Sequence, residues 1–255
     1  MKTKILQLCC IIIVSCFLIQ PGYAQKKAGK KPGGAKISKV AANAAKPASI
    51  QDCDLLEPWN GGAGWSDAIF TIDDTGLRVD DGAVGPINLN FDFTFYGTIK
   101  TQCYISSNGY ITFGSSYTGY SADGLPLTGA DASVKMIAGY FGDVDLRNLS
   151  SGTVHYKAGA HRFVVLYDHV GYYNNGGDKL NTFEIIITDG TDPIIGVGKN
   201  VGFSYGDMQW TEGDNNTVGV NAGDGQFYYQ LGVFSAEGSS NYTGPMSTDS
   251  GIDWL

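Results

Sequence analysis

No aspartate or glutamate occurs before Asp52 in this 255-residue chain, and the acid-free region falls into two unlike parts. Met1 to Lys4 is basic and Ile5 to Ile19 is apolar, in the order and length of an export signal. Pro21-Gly22-Tyr23-Ala24 then puts a small residue before the polar Gln25, where a signal peptidase would cut, so residues 1–24 read as a leader. A spanning helix needs about 20 apolar residues. This run carries Gln7 and Ser15 and is closed by Gln20 and Pro21, so no transmembrane anchor is expected in the mature chain. A second reading stays open. Ile13-Val14-Ser15-Cys16 is similar to a bacterial lipobox, which would leave Cys16 lipidated, although Phe17-Leu18-Ile19 continues the apolar run where a polar tether would open.

Residues 25–50 lack aromatics altogether and are built from Lys, Ala, Gly and Pro, including Lys26, Lys27, Lys30, Lys31, Lys36, Lys39 and Lys46. Such a stretch cannot bury enough apolar surface to offset its chain entropy, and a disordered basic linker is expected. Its charge could meet anionic lipid, polysaccharide or nucleic acid; a solvated tether is the simpler reading.

Cysteine is scarce as well. Removal of the leader takes Cys9, Cys10 and Cys16 and leaves Cys53 and Cys103. Their spacing excludes a zinc cluster. In an oxidising compartment they could pair, which would be worth roughly 4 kcal/mol for a loop of this length in the chain-entropy model; two unpaired thiols are the alternative. Basic residues are few in the body, where eight stand against 25 acidic ones and leave a net charge of −17 from Asp52 onward. That charge repels phosphate and argues against nucleic-acid binding.

Sustained helical periodicity is also absent after the leader, and what is present is alternation. Ile87, Leu89, Phe91, Phe93 and Phe95 alternate with Asn88, Asn90, Asp92, Thr94 and Tyr96, which puts five apolar side chains on one face of a strand. Asn108-Gly109 between Tyr104–Ser107 and Tyr110–Phe113 predicts a hairpin. Further strands are expected at Phe163–Tyr167, Phe183–Thr188 and Phe227–Val233. The turns between them are expected at Asn174 to Gly177, Asp189 to Pro193 and Gly213 to Asn216. The expected body, residues 51–255, is one all-β domain, an antiparallel two-sheet sandwich. Short runs without lipid-facing girdles argue against a membrane barrel.

Catalytic motifs fare poorly. Gly202-Phe203-Ser204-Tyr205-Gly206 matches G-x-S-x-G, but no helical pattern follows Ser204, and His155, His161 and His169 all precede it. The histidines also lack metal-ligand spacing, and no enzyme is expected. Asp143-Val144-Asp145 is the one candidate for a cation: on a strand both carboxylates would face one side, and Ca2+ takes 6 to 8 oxygen ligands. It is not an EF-hand, since Arg147 stands where a third ligand belongs. Asp73-Asp74 and Asp80-Asp81, being adjacent, would point to opposite faces if extended.

Four blocks carry a family resemblance: YISSNGYITFG (Tyr104 to Gly114), IAGYFGDVDLRNLSSGTVHY (Ile137 to Tyr156), YGDMQWTEGD (Tyr205 to Asp214) and VGVNAGDGQFYYQL (Val218 to Leu231). In this order they resemble the nidogen-type extracellular domain, NIDO. Asp143 and Asp145 match the family's aspartates and Trp210 its tryptophan, whereas Gly139 replaces its usual proline and Phe141 its usual tryptophan. SGIDWL resembles the start of the family's last block, whose closing strand does not follow. The leader and its AQKK junction resemble bacterial exported proteins. The resemblance implies a secreted or cell-surface, non-catalytic module of cell-matrix adhesion type that binds matrix or surface proteins or glycans. A structural subunit of an envelope or secreted assembly is the alternative; a carbohydrate-active hydrolase using Ser204 or Asp143 and Asp145 is a further one.

Overall fold

The computed structural model describes residues 11–14, 55–57, 59–121, 124–211, 216–234 and 242–243, with the backbone alone for the first and last of these segments. The linker, the leader apart from residues 11–14, Cys53 and the expected turn at residues 213–215 lie outside the described residues.

Among the described residues the strands are β1 (Ile11–Val14), β2 (Ser66–Asp67), β3 (Ile72–Asp73), β4 (Gly82–Phe95), β5 (Thr98–Ser106), β6 (Tyr110–Phe113), β7 (Lys135–Phe141), β8 (Val144–Asp145), β9 (Val154–Ala158), β10 (Arg162–Tyr172), β11 (Asn181–Thr188), β12 (Val201–Met208), β13 (Asn216–Asn221), β14 (Tyr228–Phe234) and β15 (Tyr242–Thr243). One sheet runs β1-β12-β11-β10-β9-β2, with β8 also on β10; the other runs β15-β14-β13-β7-β6-β5-β4-β3. The two sheets pack as an antiparallel sandwich, as the alternation implied.

β4 shows why. Leu89, Phe93 and Phe95 are buried, while Asn88, Asn90 and Asp92 face solvent. The pattern crosses a bulge between Asn88 and Phe93, where Asn90 takes a φ of +68°, a conformation Asn tolerates better than most residues. Against this face the second sheet sets Phe163, Val165 and Tyr167 of β10, Phe183, Ile185 and Ile187 of β11, and Val201 and Phe203 of β12. Tyr167 and Phe183 stack at 4.4 Å between ring centroids. Each such aromatic contributes about 1.5–3 kcal/mol by leaving water, so the interlayer core is the main source of stability.

β11 departs from simple alternation, because it is buried on both faces. On its outer face Ile186, with Val164 of the neighbouring β10, is covered by Ile195, Leu56 and Trp65. Trp210 is a core residue too: its Nε1 donates to the Val170 carbonyl at 2.9 Å, and its ring meets Tyr140 edge-on. Phe141, at the family's tryptophan position, packs buried against Tyr110.

Candidate functional site

The hairpin between β5 and β6 and the loop between β3 and β4 meet at one end of the sandwich. Ile105 pairs with Ile111, so the turn is Ser107-Asn108-Gly109, with Gly109 at φ +83°. Asn108 is buried and works outside its own turn. Its Nδ2 donates to Asp81 Oδ1 at 2.7 Å, and its Oδ1 accepts the Val144 N–H at 3.1 Å. One amide side chain thereby ties Asp81 to the strand that carries the Asp143 to Asp145 segment.

The loop before β4 is held in its own right. Asp74 Oδ2 accepts the N–H groups of Asp80 and Asp81 at 3.2 and 3.3 Å. Arg78 Nη1 donates to the carbonyls of Leu146, Asn148 and Ser151, which fastens the loop to the segment after β8. Asp80 and Asp81 therefore sit in a bend. Their carboxylates join that of Asp143, with one oxygen from each of the three lying within 4.8 Å of the others.

Asp145 does not join this group. Its buried carboxylate is taken by Arg147, whose Nε and Nη2 donate at 2.9 and 2.6 Å, and by the Asn175 N–H at 2.7 Å. Burial pushes its pKa up, but the Arg147 side chain, the Arg147 N–H and the Asn175 N–H outweigh burial and hold it below the usual carboxylate value. Arg147 Nη2 also reaches Asp80 Oδ2 at 2.9 Å, while Asp80 Oδ1 is buried without a hydrogen-bond partner. Burial first, then the charge of Asp145, raises the Asp80 pKa to about 6. Burial likewise raises Asp81, against the hydrogen bond from Asn108. Asp80 and Asp81, with raised pKa values, and Asp143 beside them are crowded carboxylates whose repulsion a hard cation would relieve, and the three side chains offer oxygen ligands.

The candidate pair thus divides: Asp143 stands in a carboxylate group and Asp145 in an ion pair. Sequence reasoning set Asp80-Asp81 aside because neighbours in extended chain face apart; a bend removes that objection. The local pattern marks Asn108 as a turn residue and carries no signal of its bridging role.

The other candidates have plain surroundings. Ser204 is buried in the middle of β12, with no strand-to-helix elbow, and its Oγ accepts the Leu56 N–H at 3.2 Å. His155, His161 and His169 each pair with an aspartate: Asp67, Asp189 and Asp168. Cys103 is a free, fully buried thiol, and burial drives its pKa far up. The expected pairing with Cys53 does not show among the described residues, to which Cys53 does not belong. A buried thiol should resist iodoacetamide in the native protein and react after denaturation without reductant. Mass spectrometry checks this, and modification that needs prior reduction would restore the disulfide.

The fold and this end of the sandwich define a two-sheet β module with an acidic, oxygen-lined patch. The NIDO-related family model matches residues 66–249, and the chain belongs to that family. It is similar to alpha-tectorin of Gallus gallus, 24% identical over 163 residues, which cover 53% of this chain and 7% of that protein. It is also similar to nidogen of Drosophila melanogaster, 26% identical over 184 residues, which cover 58% of this chain and 13% of that protein. The chain spans a small fraction of the length of these relatives. No solved structure matches it.

Proposed function

We propose that this protein is an exported, non-catalytic binding module of extracellular-matrix type, which engages matrix or surface proteins or glycans. Family membership, with nidogen and alpha-tectorin among the relatives, is the observation that carries this reading. The geometry is consistent with it. Phe227, Tyr228 and Tyr229 form an exposed aromatic run at the start of β14, and large amphipathic rings make good contacts at low entropic cost. We place the Ca2+ expected at Asp143 and Asp145 at Asp80, Asp81 and Asp143, where carbonyls and water would complete its shell.

The test is binding of the exported chain to immobilised matrix proteins and glycans, in Ca2+ and again in chelator. Saturable binding to one class is the expected result. Chelation, or Asp80→Asn with Asp81→Asn, is expected to weaken it by about tenfold or more, which corresponds to roughly 1.4 kcal/mol. A folded sample that binds nothing in either condition would refute the module reading and favour an assembly subunit. Binding indifferent to chelator would remove the cation from it.

A further inference from the structure

β12 has β11 on one side and β1 on the other, antiparallel, with Ile11 opposite Ser204, Ile12 opposite Phe203, Ile13 opposite Gly202 and Val14 opposite Val201. β1 lies inside the apolar run that the sequence marks as an export leader. Cleavage after Ala24 removes it, and among the described residues β12 then ends its sheet. The other terminal strands among the described residues, β2, β3 and β15, are each two residues long. Short edge strands are one way in which proteins keep sheet edges from pairing with strangers. β12, by contrast, has eight residues, contains neither lysine nor proline, and places its one charge at Asp207, outside the four positions that β1 covers.

We propose that the Val201–Ser204 edge is a strand-accepting site, which in the mature protein takes an extended, apolar, β-branched segment of another polypeptide by antiparallel addition. The proposal rests on the export reading above, since it needs the leader to be gone. Main-chain groups left unpaired along an edge supply the affinity of such an addition, and alternate side chains supply its selectivity. Val201, Phe203 and Tyr205 belong to the interlayer core. A donor residue opposite Val201 or Phe203 falls on that core face and must be apolar. On the other face β12 presents the small residues Gly202, Ser204 and Gly206; Leu55 lies against Gly206 and the Leu56 N–H donates to Ser204 Oγ, so a donor is less constrained there. Ile-Ile-Ile-Val, the sequence of β1, has the β-branched composition that strands favour.

The experiment uses the exported chain, its N-terminus read by mass spectrometry, and a lysine-flanked synthetic peptide carrying Ile-Ile-Ile-Val. The chain is expected to begin after Val14. Adding the peptide is expected to slow hydrogen exchange across residues 201–204 by about tenfold or more, and a copy of the peptide N-methylated at alternate residues to have no effect. An exported chain that retains Met1 overturns the proposal, as does exchange that the peptide leaves unchanged. A dimer by light scattering, with residues 201–204 protected before any peptide is added, also overturns it and makes a second copy the occupant. Matrix ligands take no part in this assay, so its failure is separable from failure of the binding reading.

Discussion

Gly109→Ala is expected to yield no stably folded protein. A Cβ at this position would lie 1.7 Å from the Tyr140 carbonyl oxygen and 2.7 Å from its carbon, both backbone atoms of β7. The approach is that close because the Gly109 carbonyl accepts two N–H groups, from Gly139 at 3.1 Å and Tyr140 at 3.0 Å. A left-handed φ alone costs an L-residue about 1–2 kcal/mol. Displacing a central strand of the sheet adds the loss of these bonds and of the packing behind them. Together they should exceed about 4 kcal/mol, out of the 5–15 kcal/mol that holds a typical domain together. Gly97→Ala is the control, because Gly97 has a similar φ of +74° but nothing within 4 Å of the added carbon, and it should cost no more than about 1–2 kcal/mol. Urea denaturation followed by circular dichroism measures both variants. A Gly109→Ala variant within about 1 kcal/mol of the parent would sink the argument.

The same turn shows what was legible in the sequence. Asn108-Gly109 announced a hairpin, because that dipeptide tolerates the required dihedrals whatever surrounds it. The alternation from Ile87 to Phe95 announced a one-sided strand, because period two is a local property of the chain. These signals need no partner to be interpreted, and the sandwich follows from them. The carboxylate group did not follow, since its members come from sequence positions 80, 81 and 143 and are assembled by Arg78 and Asn108 across the end of the fold. Arg147 illustrates the limit. In the sequence it spoiled a calcium-loop pattern; in the structure it is the partner that keeps Asp145 ionised while buried. Glu184 is a similar case. Within Phe183–Thr188 it occupies an outward position, where a carboxylate should meet water, and the distant segment at Leu56–Glu57 meets it instead.

That burial leads to the second large effect: raising the pH from about 5 to 9 should weaken the fold, with Glu184 as a principal cause. The side chain is fully buried, its Oε2 accepts the Glu57 N–H at 3.4 Å, and its Oε1 has no hydrogen-bond partner. Burial, with a contribution from the charge of Glu57, raises its pKa from 4.5 to about 8. The folded state therefore holds this proton more tightly than the unfolded chain does. The resulting stabilisation is complete below 4.5 and is lost as pH rises through about 8, on the order of several kcal/mol in all. Asp80 acts in the same sense, but only up to about 6. Between 6 and 8 Asp80 no longer contributes, and comparing the parent with Glu184→Gln cancels every other group that titrates there. Glu184→Gln is neutral throughout and keeps a carbonyl oxygen for the Glu57 N–H, so its stability should fall less than the parent's across that interval and exceed it at pH 9. Chemical denaturation at closely spaced pH values distinguishes the two, and parallel curves between 6 and 8 would exclude Glu184 as the cause. Where the loss begins also follows from the contacts. Glu57 anchors its segment through Lys157 and Arg162 on one side and Glu184 on the other. An ionised Glu184 repels it, and hydrogen exchange at Leu56 and Glu57 should quicken before the interlayer core opens.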